Sequence, residues 1–522
     1  MIILTPAQMN QLDAYAVNEL KIPGIVLMEH AAMATVQKVM DMLEGVSKPM
    51  VVLFVGTGNN GGDGFAIARL LDNKGVKPLI YLFGDPDKIK GDARVNLDIC
   101  VAMGLTPIVY RPEQKDECIR KVQESDLAVD ALLGTGYVGA LRQPVDEAIR
   151  ILNGYAKKVL SVDIPSGVNG TTGRVETEAV KACETVTFCC PKPGLCVYPG
   201  REMAGCVTVA PIQIPKSAVE RMNSKMFYID EDLVKDWLPV RKINGNKGDY
   251  GRVTVTTGTG GMTGAAILVA KAAYRTGSGL VYMLTDPCNM PVLETAAIEA
   301  VKVPVASDSE EDLDGIREFL DKQDCVVIGP GMGNNERTGR IVRYFLARGG
   351  NLVLDADGLN VLADRTDWLK QSDCNIVITP HPGEMSRLCG KSIEDVQKDR
   401  LGTAFDFAKK TGVTVVLKGA GTVICTPDVQ MINSTGCPGM SVAGSGDVLS
   451  GMIGSLIGQG LPVLKACALG VYLHGLAGEY AEVKFTEYGV TASDIIDMIP
   501  SAYKGIGRNY IRPEGRFDLT CT

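Results

Sequence analysis

Two glycine-rich segments that each carry an aspartate lie in opposite halves of this chain. They read Asn59-Asn60-Gly61-Gly62-Asp63-Gly64 and Gly444-Ser445-Gly446-Asp447, and each opens a segment with a helical pattern. A glycine-rich turn lets the backbone approach a ligand closely, and the helix behind it offers unpaired N–H groups and a partial positive charge. The two segments therefore predict two separate sites suited to phosphate or another anion.

Oxygen-bearing side chains follow three predicted strands of the first half. Asn60 comes after the first strand, Asp130 begins the segment 130–136, and Asp163 and Ser166 lie in the segment 161–167. Because ligands of an open parallel sheet bind at the carboxyl ends of its strands, we expect these groups to converge. An amide, a carboxylate and a hydroxyl together suit an alkali or alkaline-earth cation. The alternative is that these side chains only stabilise turns and helix caps.

The second half carries a candidate phosphoryl-transfer site at Asp447. Phosphate charge can accumulate at the glycine turn, and Asp447 is placed to take a proton from a hydroxyl. The segments 418–422 and 433–436 are further candidate nucleotide contacts. The alternative is that the glycines only shape turns and Asp447 caps its helix. Helical spacing predicts one buried apolar stripe behind the turn, made of Val448, Leu449, Met452, Ile453, Leu456 and Ile457.

Three other motif matches are weak. The run 56–61 satisfies the G-x-G-x-x-G pattern of dinucleotide oxidoreductases, but Asp85 follows the next strand further along than the roughly 20 residues expected for a ribose-binding acid. The run 258–264 is a loosened version of the same pattern. Gly390-Lys391-Ser392 ends like a P-loop, but Met385 stands where its first glycine is needed. We therefore expect neither hydride transfer nor a P-loop.

Short β-rich runs alternate with helical patterns in both halves, which predicts an α/β fold on parallel sheets. Proline-rich and polar stretches near residue 220 mark a domain boundary. We expect an N-terminal Rossmann-like βαβ domain over 1–220, a C-terminal α/β domain over 226–503 and a loose polar tail over 504–522. The predicted strands are 50–55, 79–83, 127–133, 159–162, 253–257, 326–328, 352–354, 376–379 and 413–417.

Composition excludes several classes of function. The 522 residues exceed the range of about 250 to 300 in which one core keeps growing. The formal charge of -8 argues against a general nucleic-acid or membrane-surface binder, and three histidines leave little for zinc or triad chemistry. The 15 cysteines lack zinc-type spacing, and the first residues predict a helix start rather than a signal peptide. We therefore expect a cytoplasmic protein with reduced thiols and no membrane span.

The first half resembles the YjeF N-terminal family, the NAD(P)H-hydrate epimerases, from residue 1 to about 215. The segments 58–64, 130–136 and 162–167 carry the resemblance. It implies that Asn60, Asp130 and Ser166 bind potassium, and that Asp163 contacts the hydrated nicotinamide as the acid/base group. The implied substrate-binding residues are Asn59, Asn60, Gly61, Gly62, Asp63, Gly134, Thr135, Gly136, Tyr137, Val138, Gly139, Ala140 and Asp163.

One segment of the first half departs from that family. Within 28–32, His30 and Ala32 stand where an asparagine and a glycine are more typical. His30 is therefore either a core substitution or a change at the edge of the pocket.

The second half resembles the ribokinase-like superfamily and, more closely, its ADP/ATP-dependent NAD(P)H-hydrate dehydratase branch, over about 226–503. The segments 246–251, 329–333, 354–360 and 379–385 carry the resemblance with the loops at 418–422 and 444–447, although Gly358 replaces an expected alanine. Asp447 would be the catalytic base. The hydrated dinucleotide would contact Gly333, His381, Pro382, Gly383, Glu384, Met385, Ser386, Arg387 and Asp447. The adenine nucleotide would contact Lys418, Gly419, Ala420, Gly421, Thr422, Cys437, Pro438, Gly439, Met440, Ser441, Val442, Ala443, Gly444, Ser445 and Gly446.

His381 has two interpretations, a direct catalytic role or a loop histidine satisfied by local hydrogen bonds. The resemblance does not choose between them.

Together the two resemblances imply repair of hydrated NADH or NADPH. The second site would transfer a phosphoryl group from ADP or ATP, with Mg²⁺, to the ring hydroxyl, and phosphate would leave to restore the double bond. The first site, with potassium, would convert the other epimer. Two alternatives stay open: a sugar or vitamin kinase with a regulatory first domain, and a first half that is only an interaction module. The choices between ADP and ATP and between NADH and NADPH also stay open, and the resemblance suggests a homo-oligomer.

Overall fold

This computed structural model describes residues 1–258, 260–305 and 310–506. The chain divides into two compact units, Ile2–Met226 and Phe227 onward, the second of which includes Met1. The predicted tail begins inside a helix that ends at Gly505, and from 507 it lies outside the described residues, as does Thr259 of the loosened glycine pattern. Within the described ranges, every helix is too short or too polar to span a lipid bilayer.

The first unit is built on a seven-stranded sheet. Its spatial order is β3-β2-β1-β4-β5-β6-β7, and neighbouring strands are parallel. The order reverses between β1 and β4, where an open sheet of this kind forms its ligand crevice. The predicted α/β fold with a parallel sheet is confirmed here. The strands are β1 (Val51–Val55), β2 (Pro78–Leu82), β3 (Ile108–Val109), β4 (Leu127–Ala131), β5 (Val159–Val162), β6 (Glu184–Phe188) and β7 (Cys206–Ala210).

Helices cover both faces of this sheet, because alternate residues of the fully buried strand β1 enter two different apolar clusters. Val51, Leu53 and Val55 pack with residues of α2, α3 and α4. Val52 and Phe54 pack with residues of α5 and α6. The helices are α1 (Pro6–Asn18), α2 (Gly24–Met42), α3 (Asn59–Asn73), α4 (Gly91–Ala102), α5 (Lys115–Glu124), α6 (Val145–Tyr155), α7 (Pro193–Cys196), α8 (Gly200–Ala204) and α9 (Lys216–Arg221).

Helix α3 begins at Asn59, so the first glycine segment forms the start of the helix itself rather than a glycine-rich turn in front of it. A Cβ atom on Gly61 would lie 2.0 Å from the carbonyl oxygen of Gly56, and one on Gly62 would lie 2.8 Å from Ala93 Cβ. These glycines therefore let α3 pack tightly against the end of β1 and against α4.

The second unit contains a ten-stranded sheet in the order β11-β10-β9-β12-β13-β14-β15-β16-β17-β8. The strands from β11 to β15 in this order are parallel, whereas β16 is antiparallel to both of its partners β15 and β17. The strands are β8 (Met226–Ile229), β9 (Arg252–Thr256), β10 (Leu280–Thr285), β11 (Val301–Pro304), β12 (Cys325–Ile328), β13 (Asn351–Leu354), β14 (Asn375–Ile378), β15 (Thr414–Leu417), β16 (Val423–Cys425) and β17 (Gln430–Asn433).

The helices of the second unit include the one that carries Asp447. They are α10 (Glu231–Val234), α11 (Thr263–Thr276), α12 (Met290–Ala296), α13 (Glu310–Asp314), α14 (Arg317–Leu320), α15 (Glu336–Arg348), α16 (Asp357–Asn360), α17 (Asp367–Lys370), α18 (Pro382–Cys389), α19 (Ile393–Lys398), α20 (Arg400–Thr411), α21 (Ser445–Gly458), α22 (Val463–Gly489) and α23 (Ala492–Gly505).

Helix α21 is buried on all sides rather than along one stripe. The predicted stripe residues are buried, but so are Ser450, Gly451, Gly454 and Ser455. A Cβ atom on Gly451 would lie 2.3 Å from the carbonyl oxygen of Val269 in α11. The small residues thus let α11 pack closely on a helix whose other sides face the sheet and α22.

Candidate functional site

The strand ends of the first unit border a cavity of about 840 Å³. Several predicted site residues line it: Asn59, Asn60, Asp63, Gly134, Thr135, Gly136, Tyr137 and Asp163. Gly61 and Gly62 are instead buried in helix packing, and Val138 is 80% exposed. The segment 138–140 and the partly exposed His30 on α2 are not among the lining residues.

Asp163 is held at the end of β5 by a buried lysine. Lys192, 1% exposed, donates a hydrogen bond from its ammonium to Asp163 Oδ1, and Thr187 Oγ1 donates to the same oxygen at 3.1 Å. Asp163 also has a positive φ of 66°, an uncommon conformation that in a non-glycine residue often marks a functional constraint. The pair therefore fixes a carboxylate at the cavity wall.

Two further carboxyl groups line the same cavity, on α1 and α3. Burial, more than the charge of Asp163, raises the pKa of Asp13 to about 6, and Lys192 opposes that rise. Burial, assisted by the charges of Asp163 and Asp13, raises the pKa of Asp63 well above its usual range. The cavity thus combines one lysine-paired carboxylate with two acids that hold a proton more readily than usual.

The three predicted potassium ligands lie together between β1, β4 and the turn after β5. Ser166 Oγ donates to Asp130 Oδ1 at 2.6 Å, while Ser161 Oγ and the Ser166 amide donate to Asp130 Oδ2 at 2.8 and 2.9 Å. Asn60 Nδ2 donates to the carbonyl oxygen of Leu133 at 2.8 Å. Burial raises the pKa of Asp130, although these hydrogen bonds oppose that rise.

Asn60 Oδ1 is buried and has no hydrogen-bond partner in the described chain. An orphaned amide oxygen beside a fully buried carboxylate and a hydroxyl forms a set of hard oxygen donors. These residues fit an alkali cation, which would supply the missing partner of Asn60 Oδ1.

In the second unit, Asp355 at the end of β13 organises the polar groups. It is 1% exposed and accepts hydrogen bonds from Lys418 Nζ at 2.6 Å on Oδ1 and from Ser450 Oγ at 2.6 Å on Oδ2. Burial lowers the pKa of Lys418, but the nearby carboxylates of Asp355 and Glu384 outweigh it and raise that pKa. Lys418 is therefore a charged group anchored to the sheet.

Asp447 lies in the first turn of α21, next to this lysine. Burial, with the charge of Asp355, raises the pKa of Asp447 to about 6, and Lys418 opposes the rise. Gly444 precedes the helix with a φ of 88°, which favours glycine. A Cβ atom on Gly446 would lie 3.0 Å from Lys418 Nζ. The glycine turn thus brings helix N–H groups, the ammonium and the Asp447 carboxyl to one place.

His381 is the N-cap of α18. Its Nδ1 accepts hydrogen bonds from the amides of Gly383 at 3.0 Å and Glu384 at 3.4 Å, and Glu384 Oε2 accepts from the His381 amide at 2.8 Å. Burial, with the charges of Lys418 and Arg387, lowers the pKa of His381. These contacts support the interpretation as a neutral, locally bonded histidine that caps α18.

The other predicted contacts of the second site lie in loops held by side chains. Asp357 Oδ2 accepts from the Gly333 amide at 2.7 Å, and Arg387 Nη2 donates to Asn360 Oδ1 at 2.9 Å. The predicted nucleotide segment 437–443 is anchored at one point by Glu482, whose Oε2 accepts from the Gly439 amide at 2.8 Å.

Sequence reasoning missed several groups that shape these sites. Lys192 and Asp13 were not expected in the first site, and Asp355 and Ser450 were not expected to fix Lys418 in the second. Arg400, 7% exposed, donates hydrogen bonds to the carbonyl oxygens of Leu417 and Lys418 at 3.1 Å. It therefore fixes the start of the predicted nucleotide-binding segment 418–422. The one available signal was a lysine between two prolines, at 191–193.

Two family models match separate segments of the chain. Residues 24–194 match the family described as YjeF-related protein N-terminus, and residues 253–501 match the family described as NAD(P)H-hydrate dehydratase.

Full-length relatives combine both parts. The bifunctional NAD(P)H-hydrate repair enzyme Nnr of Moorella thermoacetica is 39% identical over 97% of this chain and 97% of its own length. The enzyme of the same name from Escherichia coli is 34% identical over 86% of this chain and 84% of its own. Among solved structures, the ADP/ATP-dependent NAD(P)H-hydrate dehydratase of Bacillus subtilis, co-crystallised with ATP/Mg²⁺, is 29% identical, with a TM-score of 0.48 over 54% of this chain and 98% of that one. The chain therefore belongs to the family of bifunctional NAD(P)H-hydrate repair enzymes.

Proposed function

We propose that this chain repairs NADH and NADPH that have taken up water. The domain over 1–220 interconverts the R and S hydrates, and the domain over 226–503 dehydrates the S hydrate at the expense of ADP or ATP. The contact boundary between Met226 and Phe227 supports this division. The observation that carries the proposal is that each unit holds its own lysine–carboxylate pair beside a further acidic group: Asp163–Lys192 with Asp13, and Asp355–Lys418 with Asp447.

The second site has the groups that phosphoryl transfer to a hydroxyl requires. Asp447 takes the proton of the ring hydroxyl as that oxygen attacks the terminal phosphorus of the nucleotide. The first turn of α21 and the Lys418 ammonium hold the phosphate charge. The phosphorylated oxygen is then a good leaving group: phosphate departs from the hydrated carbon, the neighbouring ring carbon loses a proton to solvent, and the ring double bond is restored.

Mg²⁺ would neutralise phosphate charge at this site. The ion normally keeps several waters and is held by phosphates with one or two carboxylates. Among the described residues, no group of three histidine, cysteine, aspartate or glutamate side chains is arranged to bind a metal ion. This is consistent with an ion that binds as a complex with the nucleotide. Asp355 is committed to Lys418 and Ser450, which leaves Asp447 as the carboxylate nearest the glycine turn.

In the first site, Lys192 holds Asp163 in place through a buried ion pair. Asp163 exchanges a proton with the substrate hydroxyl as the configuration of the hydrated carbon changes. Asn60, Asp130 and Ser166 would hold a potassium ion behind the cavity wall, where its charge offsets that of the buried Asp130.

Two expectations from the sequence remain proposals. A cytoplasmic location is supported by the free state of the cysteines in the described part of the chain. A homo-oligomer rests on the family resemblance.

The experiment that tests the function is incubation of the protein with hydrated NADH or NADPH and either ADP or ATP. The return of dihydronicotinamide absorbance, with release of inorganic phosphate, is the expected result. Complete recovery of a mixture of both epimers requires both activities, whereas recovery that stops at the S fraction shows dehydration alone. No recovery with either nucleotide would overturn the proposal, and a stable phosphorylated product would favour the kinase alternative.

A further inference from the structure

Asp13 enters the cavity of the first unit from a helix that precedes the matched family segment 24–194. Helix α1 starts with a capping box in which Thr5 and Gln8 bond each other's backbone amides, and it buries Met9, Leu12 and Ala16. The helix is therefore anchored at its start and along one face. Asp13, next to Leu12, is one of its residues that line the cavity.

The charged groups that face Asp13 are Asp163, Lys192 and Asp63. Lys192 has three N–H protons, and its hydrogen bonds go to Asp163 Oδ1, to Thr187 Oγ1 at 2.9 Å and to the carbonyl oxygen of Phe188 at 3.2 Å. The ammonium therefore has no proton left for Asp13. It neutralises Asp163 directly and reaches Asp13 only through space.

The two carboxyl groups therefore differ in their contact with Lys192, which donates a hydrogen bond to Asp163 and none to Asp13. Asp163 is the lysine-paired carboxylate, while burial and the charge of Asp163 raise the pKa of Asp13 to about 6. Carboxyl groups whose surroundings push their proton affinities apart are the usual signature of an acid and a base in one site.

We propose that Asp13 is the second proton-transfer group of the epimerase site and works opposite Asp163. This inference rests on the proposed epimerase function of the first domain and adds to it the acid that the reaction requires.

The chemistry of the substrate explains the need for two groups. Hydration of an enamine places the hydroxyl on the carbon bonded to nitrogen, so the hydrate is a carbinolamine. Asp163 takes the hydroxyl proton, the oxygen forms a carbonyl, and the carbon–nitrogen bond breaks with its electron pair moving to nitrogen. Asp13 gives its proton to that nitrogen. After rotation of the carbonyl group, nitrogen attacks the other face, returns its proton to Asp13, and the oxygen takes its proton back from Asp163.

Asp13 suits this role better than Asp63. A group that gives a proton and takes it back works best when its pKa lies near the operating pH. Burial and the charges of Asp163 and Asp13 raise the pKa of Asp63 well above its usual range, so Asp63 releases a proton less readily than an ordinary carboxyl group.

The test is epimer exchange by Asp13→Asn in the full-length protein, measured over pH 5–8 against an enzyme-free blank. We expect kcat to fall by a factor of about 100 or more, with little change in KM. In the unmodified protein the protonated form of Asp13 is lost as pH rises through about 6, so the rate should decline above that pH. Asp13→Asn should abolish this decline, whereas Asp13→Glu should retain it.

Controls separate this role from a structural one. Glu19→Gln removes an exposed charge from the C-cap of the same helix and should leave the rate unchanged. Dehydration of the S hydrate by Asp13→Asn should continue, and unchanged hydrogen-exchange protection of β1 and β4 shows that the first unit is folded. A wild-type rate in Asp13→Asn, or loss of the pH-dependent decline in folded Asp13→Glu, would overturn the inference. Absence of epimer exchange in the unmodified protein would instead overturn the proposed epimerase function.

Discussion

The ammonium nitrogen of Lys418 lies 2.6 Å from Asp355 Oδ1, and Lys192 is bonded in the same way to Asp163 in the first unit. In each unit the lysine follows one parallel strand and the aspartate ends another. Beside each pair lies a second aspartate, Asp447 or Asp13, whose pKa is raised to about 6 by burial. Both strand-end sites thus place a lysine-bound carboxylate beside a second aspartate with a raised pKa.

Asp447→Asn should stop nucleotide-dependent dehydration and leave epimer exchange intact. The amide keeps the size of the side chain but cannot accept the hydroxyl proton, so we expect a loss of about 100-fold to 10,000-fold in dehydration. The measurement is the return of dihydronicotinamide absorbance with ADP or ATP. Asp163→Asn is the reciprocal control, which should slow epimerisation and spare dehydration of the S hydrate. Loss of both activities in either folded variant would contradict the two-site arrangement.

The pH profile of dehydration should reflect the ionisation of the Asp447 carboxyl group. The pKa of Asp447 is raised to about 6, so its basic form is present above that pH and is lost as pH falls through it. We expect kcat/KM for the S hydrate to drop about tenfold per pH unit below about 6. A profile that stays level down to about pH 4, the range of an ordinary aspartate, would remove Asp447 as the base.

Much of this architecture follows from the sequence. Each predicted strand is present, because fully buried parallel strands produce continuous apolar runs such as β1 and β12. Strands β3, β6 and β7 of the first unit were not predicted. β3 has only two residues, and β7 alternates between exposed and buried positions at the edge of the sheet, so neither has such a run.

Residues of the candidate sites could be predicted from the sequence only where they belong to a short motif. Asn60, Asp130 and Ser166 were expected together, and they are linked through Ser166, which bonds Asp130 and shares the Leu133 carbonyl oxygen with Asn60. Lys192 and Asp13 were missed because they reach the cavity from the segment after β6 and from α1, outside the motifs that contain Asp163. The glycines of α3 looked like a ligand loop, since a sequence pattern does not distinguish backbone approach to a ligand from backbone approach to another helix.

Lys192→Met should impair epimerisation and destabilise the first unit. Removal of the lysine leaves Asp163 without its ion-pair partner, which costs about 3 kcal/mol for a buried pair, or less because Asp163 borders the cavity. Both tryptophans, Trp237 and Trp368, lie in the second unit, so hydrogen exchange at β5 and β6 is the suitable measurement. The double variant Lys192→Met with Asp163→Asn should regain protection but not epimerisation. Equal protection in Lys192→Met and the unmodified protein would contradict this account.

Potassium should stabilise the first unit through Asn60. Its orphaned Oδ1 gains a partner when the cation binds, so KCl should increase hydrogen-exchange protection of β1 and β4 more than a bulky-cation chloride of equal ionic strength. Asn60→Ala should abolish the difference between the salts. Ser161→Ala is the matched control, because it removes a hydroxyl from the same Asp130 carboxylate without removing a proposed ligand. A salt response that survives Asn60→Ala would place the cation elsewhere.

Gly446→Ala tests whether the glycine turn and Lys418 act as one phosphate site. The added Cβ would lie 3.0 Å from Lys418 Nζ and 3.9 Å from Asp355 Oδ2, and the ammonium cannot move aside without lengthening its bond to Asp355. We expect the KM for the nucleotide to rise about tenfold, equivalent to about 1.4 kcal/mol, with epimerisation unchanged. Gly154→Ala, at an exposed helical glycine with open space around it, is the matched control and should alter neither activity. If Gly446→Ala bound the nucleotide as tightly as the unmodified protein, the phosphates would have to bind away from Lys418.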